Sequence, residues 1–249
     1  MITCLNCRHS FEGKFCPNCG QSAEIKRLTW HSLVHQTVHF FMHIEKGFLY
    51  TIWSFFVQPG KAAFNYLKGK RRQYQPPVSY ILILTGIYII VHNFIIAHYH
   101  LHYSLSTTGS VVDFRERSNI MLRTHFTPFI LLIIMVSAVV IYKILGTKNF
   151  NFIEILTLCL YGGGNYFVML TCNDVILGTI FKVNIISINV FLWQTALSAA
   201  YNLWFSIDIF KKIKLRLLWL RIFGVSILIS LIGWGIMNYL PLALLSLFG

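Results

Sequence analysis

Residues 79–97 read SYILILTGIYIIVHNFIIA, about twenty residues without one formally charged side chain. A helix rising ~1.5 Å per residue needs roughly that length to cross a ~30 Å hydrocarbon core, and inside the core each backbone N–H and C=O must be satisfied within the segment. Four more such runs follow at 126–145, 152–172, 183–205 and 217–239. The chain is therefore predicted to be an all-α integral membrane protein with about five transmembrane helices. A last apolar stretch after Pro241 is too short to span and is expected to lie along the interface or fold back. Composition agrees: a chain that is 56% hydrophobic and 12% charged, with mean hydropathy +0.63, has too little polar surface to cover a soluble globule of 249 residues. This excludes a soluble enzyme, a disordered chain and a secreted disulfide scaffold.

The cations set the orientation. With the N-terminus in the cytoplasm, only four of the 21 Lys and Arg, namely Arg115, Arg117, Arg123 and Lys182, fall on the outer side. Such an asymmetry is the positive-inside rule, and it places the C-terminus outside. It also accounts for most of the formal +13 charge, which leaves no need for a nucleic-acid partner. Residues 1–27 hold no apolar core of a cleavable signal.

That polar N-terminus carries two knuckles, Cys4-Leu5-Asn6-Cys7 and Cys16-Pro17-Asn18-Cys19, followed by Gly20. Each tight C-x-x-C turn aims two sulfurs at one centre, and a pair of turns supplies the four thiolates of a structural Zn²⁺ site. The same ligands could hold iron, and two disulfides are the other possibility, disfavoured in a reducing cytoplasm. With almost no apolar residues of its own, this head needs its metal to fold.

From Thr29 to Val57 the apolar residues recur at helical spacing, with Leu33, Phe41, Phe48, Ile52 and Phe55 on one broad face, which predicts an amphipathic interfacial helix. Its polar side holds His35, His39 and His43, a weaker second metal candidate, since four-residue spacing brings neighbouring imidazoles together. Pro59-Gly60 is expected to end the helix. Next come Lys70-Arg71-Arg72 and Pro76-Pro77, directly before the first span. These cations either anchor the chain or contact anionic lipid headgroups specifically. The expected organisation is a zinc-ribbon head over 1–25, an interfacial helix and basic collar over 26–78, and a transmembrane helical domain over 79–249.

The double knuckle, Gly47-Phe48-Leu49-Tyr50-Thr51, Pro59-Gly60 and Tyr66-Leu67-Lys68-Gly69-Lys70-Arg71 with Tyr74 and Pro76-Pro77 together resemble an uncharacterised bacterial, Bacteroidetes-type family of multi-pass membrane proteins with an N-terminal zinc ribbon. The resemblance covers about residues 1–95. It implies zinc, a membrane and a bacterial inner-membrane location, and it supplies no catalytic residue.

Gly162-Gly163-Gly164-Asn165 interrupts the third span. Three glycines cost a helix roughly 1 kcal/mol each relative to alanine. Either close helix packing offsets this, or the helix is broken there and lines a solute site. The carboxylates form no acid/base pair by spacing, and no Ser or Cys sits in a nucleophile motif. The leading expectation is a non-enzymatic inner-membrane protein whose cytoplasmic zinc head docks a protein partner or organises the collar. A small-solute or lipid transporter using a broken third span comes second, and a lipid-modifying membrane enzyme third.

Overall fold

The structure is a computed structural model and describes residues 1–25, 27–30, 32–33, 47–98, 126–145, 150–185, 188–211 and 218–248. It is mostly helical. The head contains an antiparallel pair, β1 (Ile2–Thr3) and β2 (Ser10–Phe11), in register Ile2 to Phe11 and Thr3 to Ser10. Two short helices follow, α1 (Phe48–Val57) and α2 (Pro59–Leu67). The long helices are α3 (Pro77–His98), α4 (Phe126–Ile144), α5 (Phe152–Val175, continued by a wider π turn at Ile176–Ile180), α6 (Ile188–Phe210) and α7 (Leu218–Phe248).

Three helical stretches, Pro77–His98, Thr127–Ile144 and Phe152–Ile180, are long and apolar enough to cross a membrane, the mark of a multi-pass membrane protein. The third is the most buried, and α5 is the hub on which α1, α3, α4 and α6 pack. Its start is fixed by chemistry that hydropathy does not register: Asn151 accepts from the Glu154 amide (2.7 Å) and the Glu154 carboxylate accepts from the Asn151 amide (2.8 Å), a reciprocal cap.

Several expected boundaries move. The helix before Pro59 does end, at Val57, but Pro59 also opens α2, because proline suits a first helical position while pushing Gln58 before it out of the helical region (φ −143°). The helix expected at 183–205 runs from Ile188 to Phe210, since Lys182 turns with φ 52° and the Val183 amide closes back on Leu177 (2.8 Å). Pro241 does not start a separate stretch. It lies inside α7, whose 31 residues reach ~46 Å, longer than a hydrocarbon core. Proline removes one helical hydrogen bond there.

Contacts align the helix ends. The Gly60 amide donates to Asp208 near the end of α6 (2.6 Å), Arg27 pairs with Glu154 at the start of α5, and Arg221 of α7 donates to the carbonyl of Ile144 at the end of α4 (3.5 Å). The head, α2 and these helix ends therefore share one side.

Candidate functional site

Cys4, Cys7, Cys16 and Cys19 converge, with all four sulfurs within 4.8 Å of one another. Cys4 and Cys19 are 3.6 Å apart, as are Cys7 and Cys16, and none is in a disulfide. Sulfurs ~2.3 Å from a central ion in tetrahedral geometry would stand about 3.8 Å apart, so the four fit a thiolate-bound metal, and a disulfide needs ~2.05 Å. The two knuckles repeat one backbone pattern. The Arg8 amide donates to Cys4 O and the Gly20 amide to Cys16 O; the Cys4 amide donates to His9 O and the Cys16 amide to Gln21 O. Each pattern requires a left-handed residue after its second cysteine, filled by Arg8 (φ 63°) and Gly20 (φ 72°). Backbone donation at His9 holds the Cys7 thiol down at about 6, which favours a ligating thiolate, whereas burial raises Cys19 to about 11.

The head is not free. Gln21, buried, donates to Gly69 O (2.9 Å) and accepts from the amides of Arg71 (3.2 Å) and Arg72 (3.3 Å). One side-chain amide thus clamps the turn that carries the expected collar. Gly69 is required twice over: its φ is +101°, and a Cβ there would lie 2.8 Å from Ile25 and 3.1 Å from Leu5. Arg71 lies over the Tyr66 ring (5.7 Å), and Arg72 runs beside Gly20. A second attachment follows the head, where Arg27 makes a bidentate pair with Glu154 (2.8 and 2.9 Å) and Leu28 O accepts from Asn151 (3.2 Å). The Glu154 pairing holds Arg27 above its ordinary value.

Beneath the clamped turn lies a buried aromatic and polar network. Tyr66, Tyr74, Tyr80, Tyr161 and Phe55 are fully or almost fully buried, with Phe55 stacked on Tyr161 at 4.3 Å and Tyr66 edge-on to it at 5.2 Å. Thr51 accepts from the Gln75 amide (2.8 Å), Tyr161 donates to Gln75 O (2.7 Å), Tyr80 donates to Asn165, and Asn165 donates to Ile52 O (3.2 Å). Burial raises Tyr66 and pushes Tyr74 up to about 12, so both act as neutral hydroxyls.

The glycine run divides between two faces of an unbroken helix. No break occurs at 162–165, which corrects the broken-span expectation: each glycine admits a neighbour, Phe205 at Gly162, Ile134 and Ile81 at Gly163, and Tyr80 at Gly164. These contacts compensate for low helix propensity. Gly164 and Asn165 belong to the network, whereas Gly162 and Gly163 line a cavity of about 290 Å³ bounded also by α4, α6 and α7. His35, His39 and His43 lie outside the described residues.

Sequence reasoning missed a polar cluster at the far end. Asp174, fully buried, meets His92 of α3 (2.7 Å) and accepts from Gln194 of α6 (2.8 Å). His92 sits in a charge-free span 82 positions before Asp174, so spacing could not pair them; an ionisable residue at membrane depth was the available signal.

Residues 45–89 match the family model described as a protein of unknown function (DUF3667), less than a fifth of the chain. The matched stretch covers α1, α2, the clamped turn and the start of α3. No curated protein and no solved structure matches this chain.

Proposed function

We propose that this chain is a non-enzymatic bacterial inner-membrane protein of five crossings, with its N-terminus cytoplasmic and its C-terminus external. A structural Zn²⁺ on Cys4, Cys7, Cys16 and Cys19 keeps the ribbon folded against the 69–72 turn. The ribbon sets Lys70, Arg71 and Arg72 against anionic lipid headgroups and forms, with them, a scaffold face for a cytoplasmic protein partner. The observation that carries this reading is the Gln21 clamp, which ties the order of the collar to the order of the head. Three of the five carboxylates among the described residues are engaged between helices or at their ends: Glu154 with Arg27, Asp208 with Lys211 and Gly60, Asp174 with His92 and Gln194. That supports a scaffold over a lipid-modifying enzyme.

Native mass spectrometry of the full chain ejected from nanodiscs of mixed anionic and zwitterionic lipid tests the reading. Wild-type protein should carry about one zinc, as a four-thiolate site requires, and retain anionic lipid. Gln21→Ala and the Lys70, Arg71, Arg72→Gln triple variant should both lose that lipid, since each cation near an anionic surface contributes about 1 kcal/mol. Retention unaffected by either change rejects it. A second reading, binding or transport of a small solute or lipid, is favoured by the cavity at Gly162 and Gly163.

A further inference from the structure

We infer that the cavity between α4, α5, α6 and α7 is a binding site for an uncharged amphiphile, a single alkyl or prenyl chain ending in a hydroxyl or carbonyl, taken from the hydrocarbon phase. The inference rests on the second reading above, whose ligand class it names, and is independent of the head and collar.

Among the described residues the lining carries no charged side chain. Its body is apolar, with Ile130, Ile134, Leu170 and Phe205 among its walls, so an ion or a highly polar solute would lose its hydration without replacement. It is nevertheless not a plain hydrocarbon void, because Ser137 of α4, Ser198, Asn202 and Ser206 of α6 and Ser230 of α7 also line it. Serine and threonine in membrane helices usually satisfy themselves on the carbonyl one turn back, as Ser230 does on Ser226 (2.9 Å) and Thr171 on Phe167 (2.7 Å). Ser137 and Ser206 make no such bond among the described residues, although both are more than nine-tenths buried (7% and 8% exposed). Asn202, which also lines the space, donates to Ser198 (3.3 Å) and keeps an amide oxygen able to accept. Polar groups set among apolar walls normally find a partner, and these line one volume from two helices. A neutral headgroup able to donate and accept satisfies them, and the apolar wall takes the chain behind it. At about 290 Å³ the space is at the small end of ligand pockets, so it takes the headgroup and part of the chain.

The glycines supply a test. A Cβ added at Gly233 meets only Ile133, at 3.8 Å, so a side chain can start into the cavity there, whereas a Cβ added at Gly224 meets nothing within 4 Å and Gly224 does not line the cavity. The full chain in nanodiscs would be photolabelled with a diazirine-bearing dodecanol and the adducts mapped by mass spectrometry. Saturable labelling should map to 130–141 and 195–206 and be displaced by unlabelled dodecanol at least tenfold better than by dodecane or by a trimethylammonium amphiphile of equal chain length. Gly233→Leu should cut labelling at least tenfold and Gly224→Leu leave it unchanged; a Ser137→Ala, Ser206→Ala double variant should abolish the preference for alcohol over alkane. Diffuse labelling that no competitor displaces, or equal displacement by the charged amphiphile, overturns the inference on wild-type protein alone, even if Gly233→Leu fails to fold.

Discussion

The two faces of α5 around residues 161–165 are built from the same small residues and do opposite things. On one, Gly164 lets the Tyr80 ring reach the helix backbone, and Tyr161 and Asn165 join a network in which rings and hydrogen bonds fill the space. On the other, Gly162 seats the edge of the Phe205 ring and Gly163 the tips of Ile134 and Ile81, yet both glycines also line a cavity that stays open between the helices. A glycine in this helix thus seats a neighbouring side chain, and on one face it also floors a cavity. Only the neighbours decide which.

The sharpest break in that comparison is Gly164→Ala. Its Cβ would run into the Tyr80 ring, which has no room to retreat because it is fully buried. About 3 kcal/mol of destabilisation or more is expected, read as loss of folded protein in a thermal or denaturant series. Gly163→Ala meets the flexible end of Ile134 at 3.1 Å, and should cost about 1 kcal/mol or less. Equal effects at the two positions would erase the distinction between the faces.

Asn165→Leu comes next. It removes the hydrogen bonds to Tyr80 and Ile52 and strands their partners, with an expected loss of about 2 kcal/mol and no change in labelling of the cavity, which Asn165 does not line. A labelling defect in a stably folded Asn165→Leu protein would show that the two faces are coupled.

The smallest effect is expected in the head, where the two knuckles differ at one left-handed position. Arg8 occupies at φ 63° what Gly20 occupies at φ 72°. Arg8→Gly should relieve up to about 1 kcal/mol of backbone strain and make the head slower to lose metal to a chelator. Faster loss would mean that the Arg8 side chain contributes more than its backbone strain costs.

Much of this was legible in the chain and some was not, for identifiable reasons. The knuckles were readable because ligation fixes residue type and spacing locally, and their sulfurs do converge. The spans at 79–97 and 126–145 were readable because uncharged length is what a bilayer selects. The start of the next was available in Asn151 and Glu154, a capping pair that hydropathy overlooks. The roles of the glycines were illegible, since they depend on Tyr80, Phe205 and Ile134, which lie far off in sequence. The role of Gln21 was illegible for the same reason, and Gly69 was readable only as part of a motif: a polar residue after a knuckle and a glycine in a basic run become a clamp only when the head folds back across 48 positions. His92 and Asp174 likewise gain meaning only as a pair.

The central claim, that a metal-held ribbon orders the juxtamembrane turn, is tested most directly by hydrogen exchange on the full chain in nanodiscs, with and without a zinc chelator. If the account holds, chelation or Cys16→Ser raises exchange throughout 1–25 and also at the amides of Arg71 and Arg72, which donate to Gln21, while 155–170 in α5 stays protected. If the head loses protection and the Arg71 and Arg72 amides exchange as slowly as before, the ribbon is a passenger on a turn that orders itself, and the account is wrong.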